Sequence, residues 1–495
     1  MAGPGWVAYG AVPGTVPSGS TPGDDLRPEL ADVGRLVRRG LRAVLGAARA
    51  EDRPRLSRIL AEHLGADAGS LDVVEETWPG YDHVNVQAGL DAWLADPGRT
   101  WELVGVASFQ GVMFGLADLL GGGRQEDMHG LRPGNPSSVN LACGPDGAVR
   151  PCIRCGLYLV VEGATRTAVL LRGAAPEYGH DHVSVQVMST DPVAAPRAAA
   201  EIRAAALAHN VFRGQVLSFG QEVFGHGRTL LQFHRRPTMT ADQLILAPET
   251  LGEIQRQVVE VARHKDQLLA AGQHLKRGLL LYGPPGVGKT HTVRYLTGNL
   301  AGTTVLQLTG NALHLIAEAC SIARALQPAM LVIEDVDLIA EDRGMHPGQH
   351  PLLFQLLNEM DGLAEDADVV FVLTTNRADL LEPALAARPG RVDQAVELEL
   401  PDADARRALF ALYRGNLEVD TSGLDDVLAR TEGVTASFLK ELLRRAALLA
   451  ATHTADEQLA VSAQDLSAAL DELLGTRNAM TRTLLGTGPG PRFGS

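Results

Sequence analysis

Four cysteines in 495 residues are too few for a disulfide framework, and that scarcity points to a reducing compartment, by default the cytoplasm. Positive charge is also short: 44 Lys and Arg stand against 59 Asp and Glu, a formal net charge of −15. The balance argues against tight binding to nucleic acid or to an anionic membrane surface. No stretch interleaves basic with aromatic residues, the pattern that a single-strand nucleic-acid track needs. The opening stretch MAGPGWVAYGAVPGTVPSGSTPGDD has neither a basic segment nor a continuous apolar core, so it does not read as a secretory signal. Long clean apolar runs are missing too. The nearest, Leu103–Leu120, contains Gln110, Asp118 and three glycines, and a strand followed by a buried helix explains it better than a membrane span.

What is present is an ordinary globular composition, 45% hydrophobic and 21% charged, in a chain too long for one core. Residues 1–23, rich in Gly, Pro and Ser, read as a disordered tail. From 24 to 66 the pattern turns helical. Leu36, Val37, Leu41, Val44 and Leu45 keep a helical period, and Leu56, Ile59, Leu60 and Leu64 repeat it. Residues 67–237 mix helix and strand and read as a separate α+β N-terminal domain. Its strands are expected at 103–107, 157–162, 168–172, 183–188 and 229–234, with a hairpin turn at Glu162-Gly163-Ala164-Thr165 and an alanine-rich helix over 196–211. No repeat or catalytic motif marks this domain. Cys143, Cys152 and Cys155 include a CxxC pair, which zinc could use with a fourth ligand from His129, His180 or His182; free buried thiols are the other reading.

The chemistry concentrates further on. Leu279–Tyr282 reads as a buried parallel strand, and it runs into Gly283-Pro284-Pro285-Gly286-Val287-Gly288-Lys289-Thr290, followed by His291. This fits G-x-x-x-x-G-K-[ST] in a strand–loop–helix setting. The glycines let backbone N–H groups turn inward onto phosphate oxygens, and the next helix adds the positive end of its dipole. Lys289 is placed to reach the β- and γ-phosphates and Thr290 to ligate Mg²⁺. Residues 283–291 are therefore the candidate nucleotide contacts.

Another apolar strand, Met330–Ile333, ends in Glu334-Asp335-Val336-Asp337, and Val369–Leu373 ends in Thr374-Thr375-Asn376. Carboxylates at a strand end beside the phosphate loop can hold hydrated Mg²⁺ and orient an attacking water. With these motifs in this order, residues 238–475 resemble one AAA+ ATPase module of the AAA branch. The resemblance implies ATP and Mg²⁺ as cofactors, a doubly wound P-loop α/β subdomain over 238–400, a helical lid over 401–476 and a flexible tail over 477–495. It also implies a metal role for Glu334 beside Thr290, a water-activating role for Asp335 and the sensor-1 role for Asn376. Arg388 and Arg391 resemble the two arginines that complete a neighbouring subunit's site, which implies a homo-oligomer, a hexameric ring. One residue inserted before Arg388 leaves Arg391 the better aimed of the two. Gly433-Val-Thr-Ala436-Ser437 is similar to the start of the sensor-2 helix in members lacking its arginine, and Tyr413 falls where the family often has a histidine near ribose and adenine.

Two departures bear on function. The family order is Asp-Glu where this chain has Glu334-Asp335, and the shorter Asp335 sets its carboxylate about 1.5 Å back, which implies slow hydrolysis. Threading members also carry an aromatic–hydrophobic–glycine loop after the strand here at Thr304–Leu308. No Phe, Tyr or Trp lies between Tyr295 and Phe354, and His314 and Leu315 are the nearest substitutes. The expectation is a Mg²⁺-ATP-dependent ring that remodels, unfolds or moves a protein client recruited by residues 67–237. The alternative is a slow-hydrolysing, nucleotide-dependent assembly scaffold or switch that does not thread polypeptide.

Overall fold

The computed structural model describes residues 55–65, 68–107, 114–120, 131–221, 229–337, 351–379, 392–453 and 459–475. The expectations for the two terminal tails, for most of the helical segment 24–66, and for Arg388 and Arg391 fall outside these residues.

The N-terminal domain is a six-stranded antiparallel sheet in the order β1-β8-β7-β6-β2-β3, formed by β1 (Val73–Pro79), β2 (Arg99–Ala107), β3 (Arg132–Gly134), β6 (Cys155–Glu162), β7 (Thr165–Arg172) and β8 (His182–Ser189). Between β3 and β6, β4 (Ser138–Ala142) and β5 (Val149–Ile153) pair as a separate hairpin. The central strands read as unbroken apolar runs because both sheet faces are covered. Along β6, Leu157 and Leu159 pack with Leu56 and Leu60 of helix α1 (Leu56–Leu64). Tyr158 and Val160 alternate to the other face, against Leu90 of α2 (His83–Leu94) and Ile202 of α3 (Ala194–Ala208). The β6–β7 turn falls where the sequence places it: Glu162 pairs with Thr165, and Gly163 takes φ +60°, as the first residue of a type II′ loop requires.

The C-terminal half is built on a seven-stranded sheet ordered β10-β9-β12-β13-β14-β11-β15, in which β9 is Val216–Gln221 and β10 is Thr229–His234. Five parallel strands, β11 (Arg277–Tyr282), β12 (Thr304–Leu308), β13 (Ala329–Ile333), β14 (Val369–Thr375) and β15 (Gln394–Glu397), form its body. Alternate side chains of these strands feed two cores. Leu306, Leu331 and Phe371 join one with α5 (Ile316–Ala325) and α6 (Pro351–Asp361); Leu279, Met330 and Val372 join the other with α4 (Lys289–Asn299). After β12 a 3-10 segment, Gly310–Leu315, passes into α5. Four helices, α7 (Ala403–Arg414), α8 (Leu424–Arg430), α9 (Ala436–His453) and α10 (Ala463–Leu474), pack on one another as the lid.

Thr229–His234, expected in the N-terminal domain, is β10, and it pairs with β9 (Val216–Gln221), which runs parallel to β12. The hairpin widens the seven-stranded sheet because β12 would otherwise be an edge with unpaired backbone groups. Arg236 secures the join: its guanidinium donates to the carbonyls of Thr297, Leu300, Gly214 and Thr303 at 2.6–3.0 Å. The N-terminal domain also shares a core with the segment after β12. Val84 and Cys152 belong to the same buried cluster as Leu313, Leu315, Ile316 and Phe212, with Tyr81, Val139 and Leu141 packed against it. Each aliphatic side chain fully buried there contributes about 1.5–3 kcal/mol.

Candidate active site

The phosphate loop leaves β11 and enters α4 at Lys289. Its glycines are there for room as much as for rotation. A Cβ on Gly283 would stand 2.3 Å from the carbonyl oxygen of Leu398, and one on Gly286, at φ +82°, would stand 2.9 Å from Ser437 Oγ. The second contact places the lid on the loop: Ser437 donates to the Gly286 carbonyl from its backbone N (3.1 Å) and from its hydroxyl (3.3 Å). Ala436, at the start of α9, is buried beside it. Ser437 was not singled out as a contact from the sequence, because it lies 151 residues from its partner and no local pattern links them.

Lys289 is buried, and its ammonium donates to the carbonyls of Gly283 (2.7 Å) and Pro284 (3.0 Å) and to Asn376 Oδ1 (2.8 Å). Burial pushes its pKa down to about 8, against the pull of Asp335 and Asp337, so it remains charged at neutral pH. The amide of Asn376 is shared, its Nδ2 donating to Asp335 Oδ1 at 3.3 Å. Lys289, Asn376 and Asp335 thus form one chain across the carboxyl ends of β11, β14 and β13. Asp337 orients the middle member by accepting from Thr375 Oγ1 (2.8 Å) and from the backbone N–H of Asn376 (3.3 Å).

Thr290 Oγ1 donates to Glu334 Oε2 at 3.3 Å. Burial raises the Glu334 pKa, while the Thr290 hydrogen bond lowers it. A hydroxyl beside a carboxylate is a hard-oxygen pair suited to Mg²⁺, which takes one or two protein ligands and keeps several waters. The loop also fits the phosphates: at Gly288, φ +121°, a Cβ would meet nothing within 4 Å, so the backbone is open on that side. These residues fit Mg²⁺-ATP: Thr290 and Glu334 would hold the metal, the loop and Lys289 would meet the phosphates, and Asp335 with Asn376 would face the attacking water.

Two further candidates are His291 on α4 and Tyr413 on α7. Burial lowers the His291 pKa, and Arg294 and Lys440 add to the effect. The ammonium of Lys440 stands 6.0 Å from the ring centre of half-buried Tyr413. The cysteines part company: Cys152 enters the core shared with the C-terminal half, and Cys155 enters the α1 side of the N-terminal sheet. Burial pushes both thiols up to about 12. Among the described residues no group of three or more His, Cys, Asp or Glu is placed to hold a metal, and the four thiols are unpaired. No helix among them is long and apolar enough to cross a membrane.

Known proteins match the same half of the chain. The model of the ATPase family associated with various cellular activities (AAA) matches residues 279–400. "ATP-dependent zinc metalloprotease FtsH 2" of Sphaerobacter thermophilus is 36% identical over 255 residues, covering 49% of this chain and 38% of the relative. FtsH 4 of the same organism is 33% identical over 288 residues, 54% of this chain and 43% of the relative. FtsH 1 of Thermomicrobium roseum is 30% identical over 276 residues, 53% and 41%. The match thus spans well under half the length of these relatives. Loop, carboxylates, sensor and family model agree, and this chain carries an AAA+ ATPase module, whose cofactors are ATP and Mg²⁺ and whose chemistry is ATP hydrolysis.

Proposed function

We propose that the chain works as a Mg²⁺-ATP-dependent remodeller of protein clients, assembled as a homo-oligomeric, hexameric ring, with the N-terminal domain as the client-binding part. The observation that carries the proposal is the Lys289–Asn376–Asp335 chain, which ties the phosphate grip to the water-orienting carboxylate. Rings are the general assembly of AAA ATPases, and Arg388 and Arg391 are the residues proposed to reach into the neighbouring site. Relatives named as ATP-dependent proteases favour a protein client. The 495 residues hold no His-Glu-x-x-His string, so the proposal is confined to the ATPase. A cleft of about 260 Å³ in the N-terminal domain, walled by Glu75, Thr77, Arg172 and Ser184, offers a client side chain a place to dock.

A specific observation bears on how force is delivered. Leu315 is buried, and Leu313 and Leu315 lie in the core shared with Val84 and Cys152. Of the two substitutes for a threading loop, only His314 is exposed. That favours delivery through the N-terminal domain, which rides on this segment, over threading of an extended chain.

The test is the steady-state ATPase rate per subunit as protein concentration rises. A rate that climbs and saturates, is lost in Lys289→Ala, and falls in Arg391→Ala with nucleotide affinity retained supports sites completed between subunits. A rate independent of concentration and unchanged in Arg391→Ala rejects the ring. Bound ATP with no turnover at any concentration favours the switch reading.

A further inference from the structure

Asp335 has φ +53°, a left-handed conformation shared with only one other non-glycine residue, Asp146, among the described residues. Strain of this kind persists where neighbours hold it. The turn is held by three successive N–H groups. Glu334 donates to the Leu308 carbonyl at 3.2 Å, Asp335 to Thr374 Oγ1 at 3.1 Å, and Val336 to the Thr374 carbonyl at 2.9 Å. Thr374 thus grips two of them, one with its side chain and one with its backbone. It lies on β14 directly before Thr375 and Asn376, and it is 3% exposed.

A buried hydroxyl on a central strand needs a partner, whereas valine would fill the same space without one. Here the partner is the amide of the residue whose carboxylate meets Asn376. The geometry points to Thr374 as a positioning residue for hydrolysis: by accepting the Asp335 N–H it fixes the left-handed turn that aims the short carboxylate at Asn376. This rests on the reading of Asp335 as the water-orienting group. It also gives the Glu334-Asp335 order a structural counterpart, because a side chain one methylene shorter depends more on where its backbone is pinned.

The test compares Thr374→Val and Thr374→Ser in the full chain, measuring kcat, KM for ATP and thermal melting. Valine is expected to lower kcat about 10- to 100-fold with KM changed less than about twofold, because small misplacements at the reacting centre cost decades of rate. Serine, which keeps the hydroxyl, is expected to restore most of kcat. Wild-type kcat in the valine variant, equal losses in both variants, or parallel loss of nucleotide affinity would overturn the inference. If thermal melting shows that the valine chain does not fold, Thr374→Ala carries the same two expectations. Asp335→Asn is the control: wild-type turnover there would remove the role of Asp335 itself, a failure distinct from one confined to Thr374.

Discussion

Replacing Asn376 with alanine cuts the chain between Lys289 and Asp335 at its middle. Its amide makes one bond to an ammonium at 2.8 Å and one to a carboxylate at 3.3 Å. Hydrogen bonds to charged groups are worth about 1.5–3 kcal/mol each, and the longer one is the weaker, so about 2–4 kcal/mol of ordering is at stake. If that ordering is realised in the transition state, kcat falls about 30- to 1,000-fold. The grip on ATP comes mainly from the loop amides and Lys289, which still has the carbonyls of Gly283 and Pro284 to hold it. Nucleotide affinity should therefore change by less than about threefold. Asn376→Asp sharpens the contrast. It would still accept from Lys289 but would set a second carboxylate against Asp335, so it should bind nucleotide and fail to turn it over. A coupled-enzyme assay for kcat and a fluorescent nucleotide for Kd read the two quantities separately. A kcat loss below threefold in Asn376→Ala, or equal losses in kcat and affinity, would refute the shared-amide reasoning.

Arg236→Ala removes four hydrogen bonds to backbone carbonyls at the join between β9, α4 and β12, and should cost about 3 kcal/mol, read as a lowered denaturant midpoint. Arg236→Lys should recover only part of this, because an ammonium cannot span the four acceptors. In the lid, the Arg444 hydrogen bond, reinforced by Arg445, holds the Glu441 carboxyl down to about 2 from an ordinary 4.5. A depressed carboxylate stabilises the fold above its unfolded pKa, and that contribution drains away as pH falls from about 5 towards 2. Arg444 is largely exposed, so solvent screening limits the gain to about 1 kcal/mol. Thermal melting of Glu441→Gln should accordingly lie below wild type at pH 7 and converge with it only as pH approaches about 2; a constant gap would contradict the assignment.

The phosphate loop and the strands around it were legible because two physical signals coincide there. The strands are buried on both faces and so are apolar without alternation, and the loop spacing is fixed by what a phosphate requires. The N-terminal strands at 157–162, 168–172 and 183–188 were legible for the first of these reasons. Strand β1 was missed because Glu75, Glu76 and Thr77 interrupt it, as an edge strand tolerates. Strand β9 was missed because Ser218 and Gly220 break its apolar run. The misplacement of β10 followed, since nothing local tells a strand which sheet it joins. The cysteine spacing likewise could not say that Arg154, between β5 and β6, separates Cys152 from Cys155 into different cores. Ser437 and Thr374 act on backbone groups far away in the chain, and such partners exist only once the fold does.

The β9–β10 hairpin has a practical consequence for cutting the chain. A fragment that begins at residue 238, where the ATPase motifs begin, would leave Val305–Gln307 of β12 with bare backbone groups and uncover Leu217's former neighbours. Such an edge is a template for self-association. A soluble ATPase fragment would have to begin before Gly214, whose N–H already bonds Thr304. Hydrogen exchange should accordingly report β9 and β12 opening together, although 82 residues lie between the end of one and the start of the other.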